Sequence, residues 1–93
     1  VLTFDRSGRL LRTERAAQKG SDGLVILADG TKYVSSVRHG AISRIRPGEE
    51  AETIARGIPS AASMCLDSTQ RQLVVPMNPN NAIALVPLEG DED

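Results

Sequence analysis

The sequence has few aromatic side chains: Phe4 and Tyr33 are its only two, and tryptophan is absent. Its core must therefore come from Val, Ile, Leu and Ala, which suits thin, regularly packed sheets. Cys65 is the single cysteine, so no disulfide can form within the chain, and cysteine usage does not reveal the compartment. No apolar run approaches the roughly 18 residues needed to cross a bilayer, so we expect no membrane span.

The sequence also lacks a charge bias, because its formal net charge is −1. This balance gives no electrostatic reason to expect a nucleic-acid partner. With 93 residues, 40% of them hydrophobic and 25% charged, the chain has the composition of one small globular domain. The acidic stretch 89–93 is expected to be a solvated tail. The chain opens on Val1 inside a strand-like pattern, which indicates a piece excised from a longer protein.

Three short apolar runs recur at a constant interval. Residues 41–47 (AISRIRP) resemble residues 82–87 (AIALVP), and Ile42 and Ile83 are 41 positions apart. The same step backwards from Ile42 leads to Val1, at the start of a third copy. The segments that precede the later two copies also agree, apart from a longer loop in the second. Because insertions collect in surface turns, this difference supports the alignment and predicts a repeat protein.

Each repeat has the pattern of β-strands. Its segments are about five to seven residues long, rich in Val, Ile and Leu, and bounded by Gly, Pro, Asn and Asp. Residues 10–19 could alternatively be partly helical, since several apolar residues there would share a helix face. If the strands of a repeat are called a to d, the chain reads c-d, a-b-c-d, a-b-c. We therefore predict an all-β fold of short antiparallel strands.

A four-stranded unit every 41 residues has the size of a β-propeller blade, which is about 40–45 residues. The sequence thus predicts about two four-stranded blades plus an extra strand, a partial propeller that other blades or other copies would complete. Residues 1–20 would be strands c and d, residues 21–57 a full blade, residues 58–88 an incomplete blade, and residues 89–93 the tail.

Residues 22–24, 28–34, 40–48 and 62–86 resemble blades of the regucalcin/gluconolactonase (SMP-30-like) group. NHL-repeat and strictosidine-synthase-like propellers share much of this pattern. The resemblance implies a six-bladed propeller, of which this chain would be the C-terminal part. Catalytic members of the group hold one Ca²⁺ or Zn²⁺ ion at the mouth of the central channel. Asp22, in its Asp-Gly-Leu setting, matches one ligand position, and the other ligands lie in blades that this chain lacks.

The strand order predicts which loops lie together. In an antiparallel meander the d-to-a and b-to-c connections emerge at the same end, where propeller ligands usually bind. Asp22 and His39 would lie there, together with the asparagines Asn78, Asn80 and Asn81. Each of these residues also suits an ordinary turn. Cys65, between apolar residues in a strand, is predicted to be a buried structural thiol.

Two functions are consistent with this sequence. The first is a module that binds a small molecule or a partner protein and has no complete active site in this chain. The second is part of a divalent-metal-dependent lactone hydrolase, with Asp22 as one metal ligand. The fold does not decide between them. The expected partners are the remaining blades of a longer chain or further copies of this one, and three copies of two blades would form a six-bladed ring.

Overall fold

The computed structural model describes residues 1–18, 20–58, 63–77 and 82–88. Within these ranges the chain forms no helix and nine strands: β1 (Leu2–Phe4), β2 (Leu10–Thr13), β3 (Ser21–Ile26), β4 (Lys32–Ser36), β5 (Ala41–Ile45), β6 (Glu52–Ala55), β7 (Cys65–Asp67), β8 (Gln72–Met77) and β9 (Ala82–Pro87). The first sheet pairs β1 with β2, the middle sheet contains β3 to β6, and the third sheet contains β7 to β9. All neighbours are antiparallel and follow chain order.

The all-β prediction is confirmed, and the sheets of two, four and three strands follow the predicted division c-d, a-b-c-d, a-b-c. The helical alternative for residues 10–19 is wrong over the described part, because residues 10–13 pair as a strand. Antiparallel meanders occur in many folds, so the assignment of these sheets to propeller blades remains a prediction.

No helix in the described ranges is long and apolar enough to cross a membrane.

Short polar turns connect the strands. The carboxylate of Asp5 accepts hydrogen bonds from the backbone N–H groups of Ser7 and Arg9, both at 2.9 Å, and from the Ser7 hydroxyl at 2.7 Å. Asp29 accepts a bond of 2.9 Å from the N–H of Thr31 in the next hairpin. Asp side chains that bond to the backbone two residues further on favour such turns. Asp29 and Gly30 therefore lie in a tight turn between β3 and β4.

The two central strands of the middle sheet, β4 and β5, are buried on both faces. Every residue of β4 is buried, and so are four of the five residues of β5. Tyr33 and Ile42 lie on one face and cluster with Leu73, Val75 and Val86 of the third sheet. Burying a large apolar side chain contributes about 1.5–3 kcal/mol. This interface between the middle and third sheets is therefore the main core.

The opposite face of the middle sheet is covered by the segment 14–18, and this contact is polar. The N–H of Ala17 donates to Ser43 Oγ at 2.9 Å, and Gln18 Nε2 donates to Thr53 Oγ1 at 2.6 Å. The Ser43 hydroxyl donates in turn to Gln18 Oε1 at 3.2 Å. Buried polar groups need such partners, so these bonds fix the segment on the sheet.

Candidate functional site

Three chain segments meet at one end of the middle sheet, and we call residues 20–23, 37–40 and 56–58 the loop end. The N–H of Val37 donates to the carbonyl of Gly20 at 3.3 Å, and the N–H of Ile58 donates to the carbonyl of Gly40 at 2.9 Å. In the described part of the middle sheet, the connections before β3 and between β4 and β5 thus lie at the same end. These bonds hold the polar residues of the loops on a fixed scaffold.

Gly40 is the closest contact point between two of these segments. Its φ is +59°, a conformation that residues with a side chain rarely adopt. A Cβ atom at this position would lie 2.8 Å from the backbone oxygen of Ile58. Ile58 is itself buried in the core cluster. The loop end is therefore anchored to the core through a backbone contact that requires glycine.

Asp22 lies at an irregularity in β3. Ser21 pairs with Ser36 and Leu24 pairs with Val34, so the register shifts between Ser21 and Leu24. The N–H of Gly23 donates to the hydroxyl of Ser35 at 2.8 Å, which holds this bulge against β4. The side chain of Asp22 is exposed. Bulges commonly redirect a side chain next to a binding site, and here the bulge directs a carboxylate to solvent.

His39 lies in the turn between β4 and β5, and its side chain is exposed, like that of Arg38. Its N–H donates to the hydroxyl of Ser36 at 3.3 Å, a bond typical of a turn. The structure thus brings His39 and Asp22 to the same end of one sheet. The other predicted contact residues, Asn78, Asn80 and Asn81, lie outside the described residues.

Within the described ranges, no three His, Cys, Asp or Glu side chains come together as a metal site would require. A calcium ion takes six to eight oxygen ligands, and a zinc ion takes about four ligands. Asp22 by itself does not form such a site. Its assignment as a metal ligand therefore stays a prediction that depends on ligands beyond the described residues.

The prediction for Cys65 is wrong, because its thiol is exposed rather than buried. Cys65 pairs with Val74, and Val74 pairs with Leu85, so the three side chains share the outer face of the third sheet. No described element covers that face, and Leu85 is 58% exposed. Cys65 does lie in a strand, β7, as its apolar neighbours indicate, but no described element covers the face on which its thiol lies.

A buried ion pair was not predicted. Lys32 Nζ lies 2.9 Å from Glu14 Oε1, and the two side chains are 6% and 14% exposed. The oxygen has no hydrogen-bond partner of good geometry, so the pair is held by charge rather than by an aligned bond. The sequence carries little signal for this contact, because lysine and glutamate side chains are usually exposed.

An exposed ion pair links β5 to β6, where Arg44 Nη2 donates to Glu52 Oε2. This side-chain hydrogen bond lowers the pKa of Glu52. Glu52, at the start of β6, is exposed, and so are Glu49 and Glu50 in the connection before it. This corner of the middle sheet is therefore polar, unlike the outer face of the third sheet.

A groove of about 420 Å³ lies at the opposite end of the middle sheet, between residues 13–17 and 49–51. It is separate from the loop end, and none of the predicted site residues lines it.

No protein-family model, curated protein or solved structure matches this chain.

Proposed function

We propose that this chain is a binding module whose sheets are units of a β-propeller and whose loop end contacts a small polar ligand or a partner protein. The observation that supports the proposal is the meeting of three segments at one end of the middle sheet, held by the bonds of Val37 to Gly20 and of Ile58 to Gly40. Binding residues are often carried on loops that a rigid scaffold positions.

The chemistry of the loop end suits a ligand with several polar groups. Asp22, Arg38 and His39 are exposed there and offer an acceptor, a fixed cation and a group that can donate or accept. The backbone beside them is held by three hydrogen bonds, from the N–H of Gly23 to Ser35, from the N–H of Val37 to Gly20, and from the N–H of His39 to Ser36. Because the scaffold is ordered before binding, less conformational entropy is lost when a ligand arrives.

The alternative proposal, part of a metal-dependent lactone hydrolase, depends on the resemblance described above. In such an enzyme the metal ion polarises the lactone carbonyl. The described residues contribute one exposed carboxylate to that end of the sheet, and we assign no hydrolytic step to them. The binding module therefore agrees better with the side chains that the loop end presents.

One titration tests both proposals. The ¹⁵N-labelled chain is titrated with glucono-δ-lactone and separately with gluconate, with and without Ca²⁺ or Zn²⁺, while acid release is followed in parallel. We expect backbone amide signals to shift at Gly23, His39 and Gly40, with no acceleration of lactone hydrolysis. Asp22→Asn should weaken the shifts, whereas Asp67→Asn, in β7 and away from the loop end, should not.

The outcomes separate the two functions. Metal-dependent acceleration that Asp22→Asn abolishes would replace the binding module by the hydrolase. Amide shifts confined to the groove near residues 49–51 would contradict a ligand site at the loop end. An absence of any shift at millimolar ligand would rule out sugar acids and their lactones as the ligand class.

A further inference from the structure

Among the described residues, the first and third sheets each carry a group of exposed apolar side chains. On the outer face of the third sheet, Ile83 and Leu85 are 61% and 58% exposed, beside the exposed Cys65 and Pro76. We call this the trailing face. Side chains of this size are normally buried, and a contiguous apolar surface usually marks an interaction site.

The second surface lies on the first sheet. Leu2 and Phe4 alternate along β1, so they share a face, and Phe4 lies opposite Leu10. Leu2 is 57% exposed and Phe4 is 53% exposed, while Val1 and Thr3, which point the other way, are partly buried. We call the exposed side the leading face. The one aromatic side chain that the core does not use is therefore on this surface.

The repeat shows how these two faces relate to each other. Ile83 occupies the repeat position of Ile42, and Phe4 occupies the repeat position of Val86. Ile42 and Val86 belong to the same core cluster, between the middle and third sheets, where they are 0% and 8% exposed. At this interface, strand c of the middle sheet uses its Ile42 side against the following sheet, and strand c of the third sheet uses its Val86 side against the preceding sheet.

The trailing face therefore corresponds to the surface of the middle sheet that carries Ile42. The leading face corresponds to the surface of the third sheet that carries Val86. Inside the chain these two kinds of surface pack against each other. We infer that the trailing face of one copy of this chain packs on the leading face of a second copy, so that Ile83 meets the Phe4 of its neighbour as Ile42 meets the third sheet within one chain.

This contact is heterologous, because two different surfaces meet. Such contacts form a closed ring if the rotation between copies closes, and an open row if it does not. Two copies with all their strands in place bring six sheets together, so a closed pair needs no strand to be displaced. The inference does not depend on the ligand of the loop end, because neither face includes Asp22, Arg38 or His39.

The test uses two variants that each disable one face. Phe4→Glu places a charge on the leading face, and Ile83→Glu places one on the trailing face. Both positions are exposed within one chain, so both variants should fold with the wild-type circular dichroism spectrum. Ile26→Glu is the matched control, since Ile26 is 56% exposed, lies in β3 of the middle sheet, and is outside both faces and the loop end.

The masses are measured by light scattering coupled to size exclusion. We expect the wild type and Ile26→Glu to form a dimer or a larger assembly, and each face variant to be a monomer. An equimolar mixture of Phe4→Glu and Ile83→Glu should form a 1:1 dimer, because the mixture retains one intact leading face and one intact trailing face. Face-to-face pairing of identical surfaces does not predict this rescue.

Cys65 provides an independent readout, as it is the only thiol in the chain and shares the trailing face. Its reaction with a maleimide should be at least fivefold slower in the wild type than in Phe4→Glu, although the two residues lie in different sheets. A monomeric wild type, equal thiol reactivity, or no dimer in the mixture would each overturn the inference. Rapid disulfide linkage between two copies would show that two trailing faces meet instead.

Discussion

Replacing Gly40 by alanine tests whether the loop end is anchored to the core by a close backbone contact. At φ +59° the new methyl group would lie 2.8 Å from the Ile58 oxygen, a distance that real Cβ contacts essentially never show. The neighbouring backbone must therefore move. That movement lengthens or breaks the bond from the Ile58 N–H to the Gly40 carbonyl, now 2.9 Å.

Three effects contribute to the loss of stability that we expect for Gly40→Ala. A side chain in the left-handed region costs about 1–2 kcal/mol, reduced by roughly 0.4–1 kcal/mol because alanine restricts the unfolded chain. The lost hydrogen bond adds about 0.5–1.5 kcal/mol. Ile58 also loses part of a burial that is worth about 1.5–3 kcal/mol when complete. We expect Gly40→Ala to lower the free energy of unfolding by about 2–3 kcal/mol.

Gly48→Ala is the matched control, because Gly48 has φ +75° and nothing within 4 Å of the added methyl group. It should lose only the conformational part, so Gly40→Ala should be about 2 kcal/mol less stable than Gly48→Ala. For a domain of this size that difference lowers Tm by roughly 8–16 °C. Thermal unfolding followed by circular dichroism at one protein concentration measures it. Equal Tm values for the two variants would refute the anchoring argument.

Two further predictions concern charged side chains. Lys32→Met leaves the Glu14 carboxylate buried without its partner and should lower the free energy of unfolding, measured in urea, by about 2–3 kcal/mol. The double variant Lys32→Met/Glu14→Leu should recover most of this loss. A double variant as unstable as Lys32→Met would contradict the ion pair. Asp5 has a pKa below its ordinary value of 3.8, chiefly because of the Ser7 hydroxyl. A lowered pKa stabilises the folded state well above pH 3.8, and this contribution is lost as pH falls through the folded-state pKa. The Tm of Asp5→Asn should therefore fall less than that of the wild type between pH 6 and pH 2, and parallel profiles would refute this role.

The strands could be predicted from the sequence because their signals are local. Short runs of Val, Ile and Leu separated by Asp-Gly and similar turns favour hairpins whatever surrounds them. The interval of 41 residues separates strand c of one unit from strand c of the next, so it also predicts which strands belong to the same sheet. The position of Asp22 and His39 at one end followed from the same strand order.

Contacts between units depend on how the sheets pack. Cys65 and Ile42 both lie in apolar strands, yet the thiol is exposed and Ile42 is fully buried, because only Ile42 lies on a face that another sheet covers. The burial of Lys32 likewise depends on Glu14, 18 positions earlier, crossing the face of the middle sheet. Neither contact has a local sequence signal.

The sequence by itself thus determined the strands, their turns and the repeat, because hydrophobic alternation and turn chemistry act over a few residues. Tertiary structure alone decided which faces are covered, how the loop end is joined to the core through Gly40, and which apolar surfaces remain open. The physical reason is that a side chain is buried only when a second surface packs against its own. The hydrophobic pattern of one strand describes only one of these two surfaces.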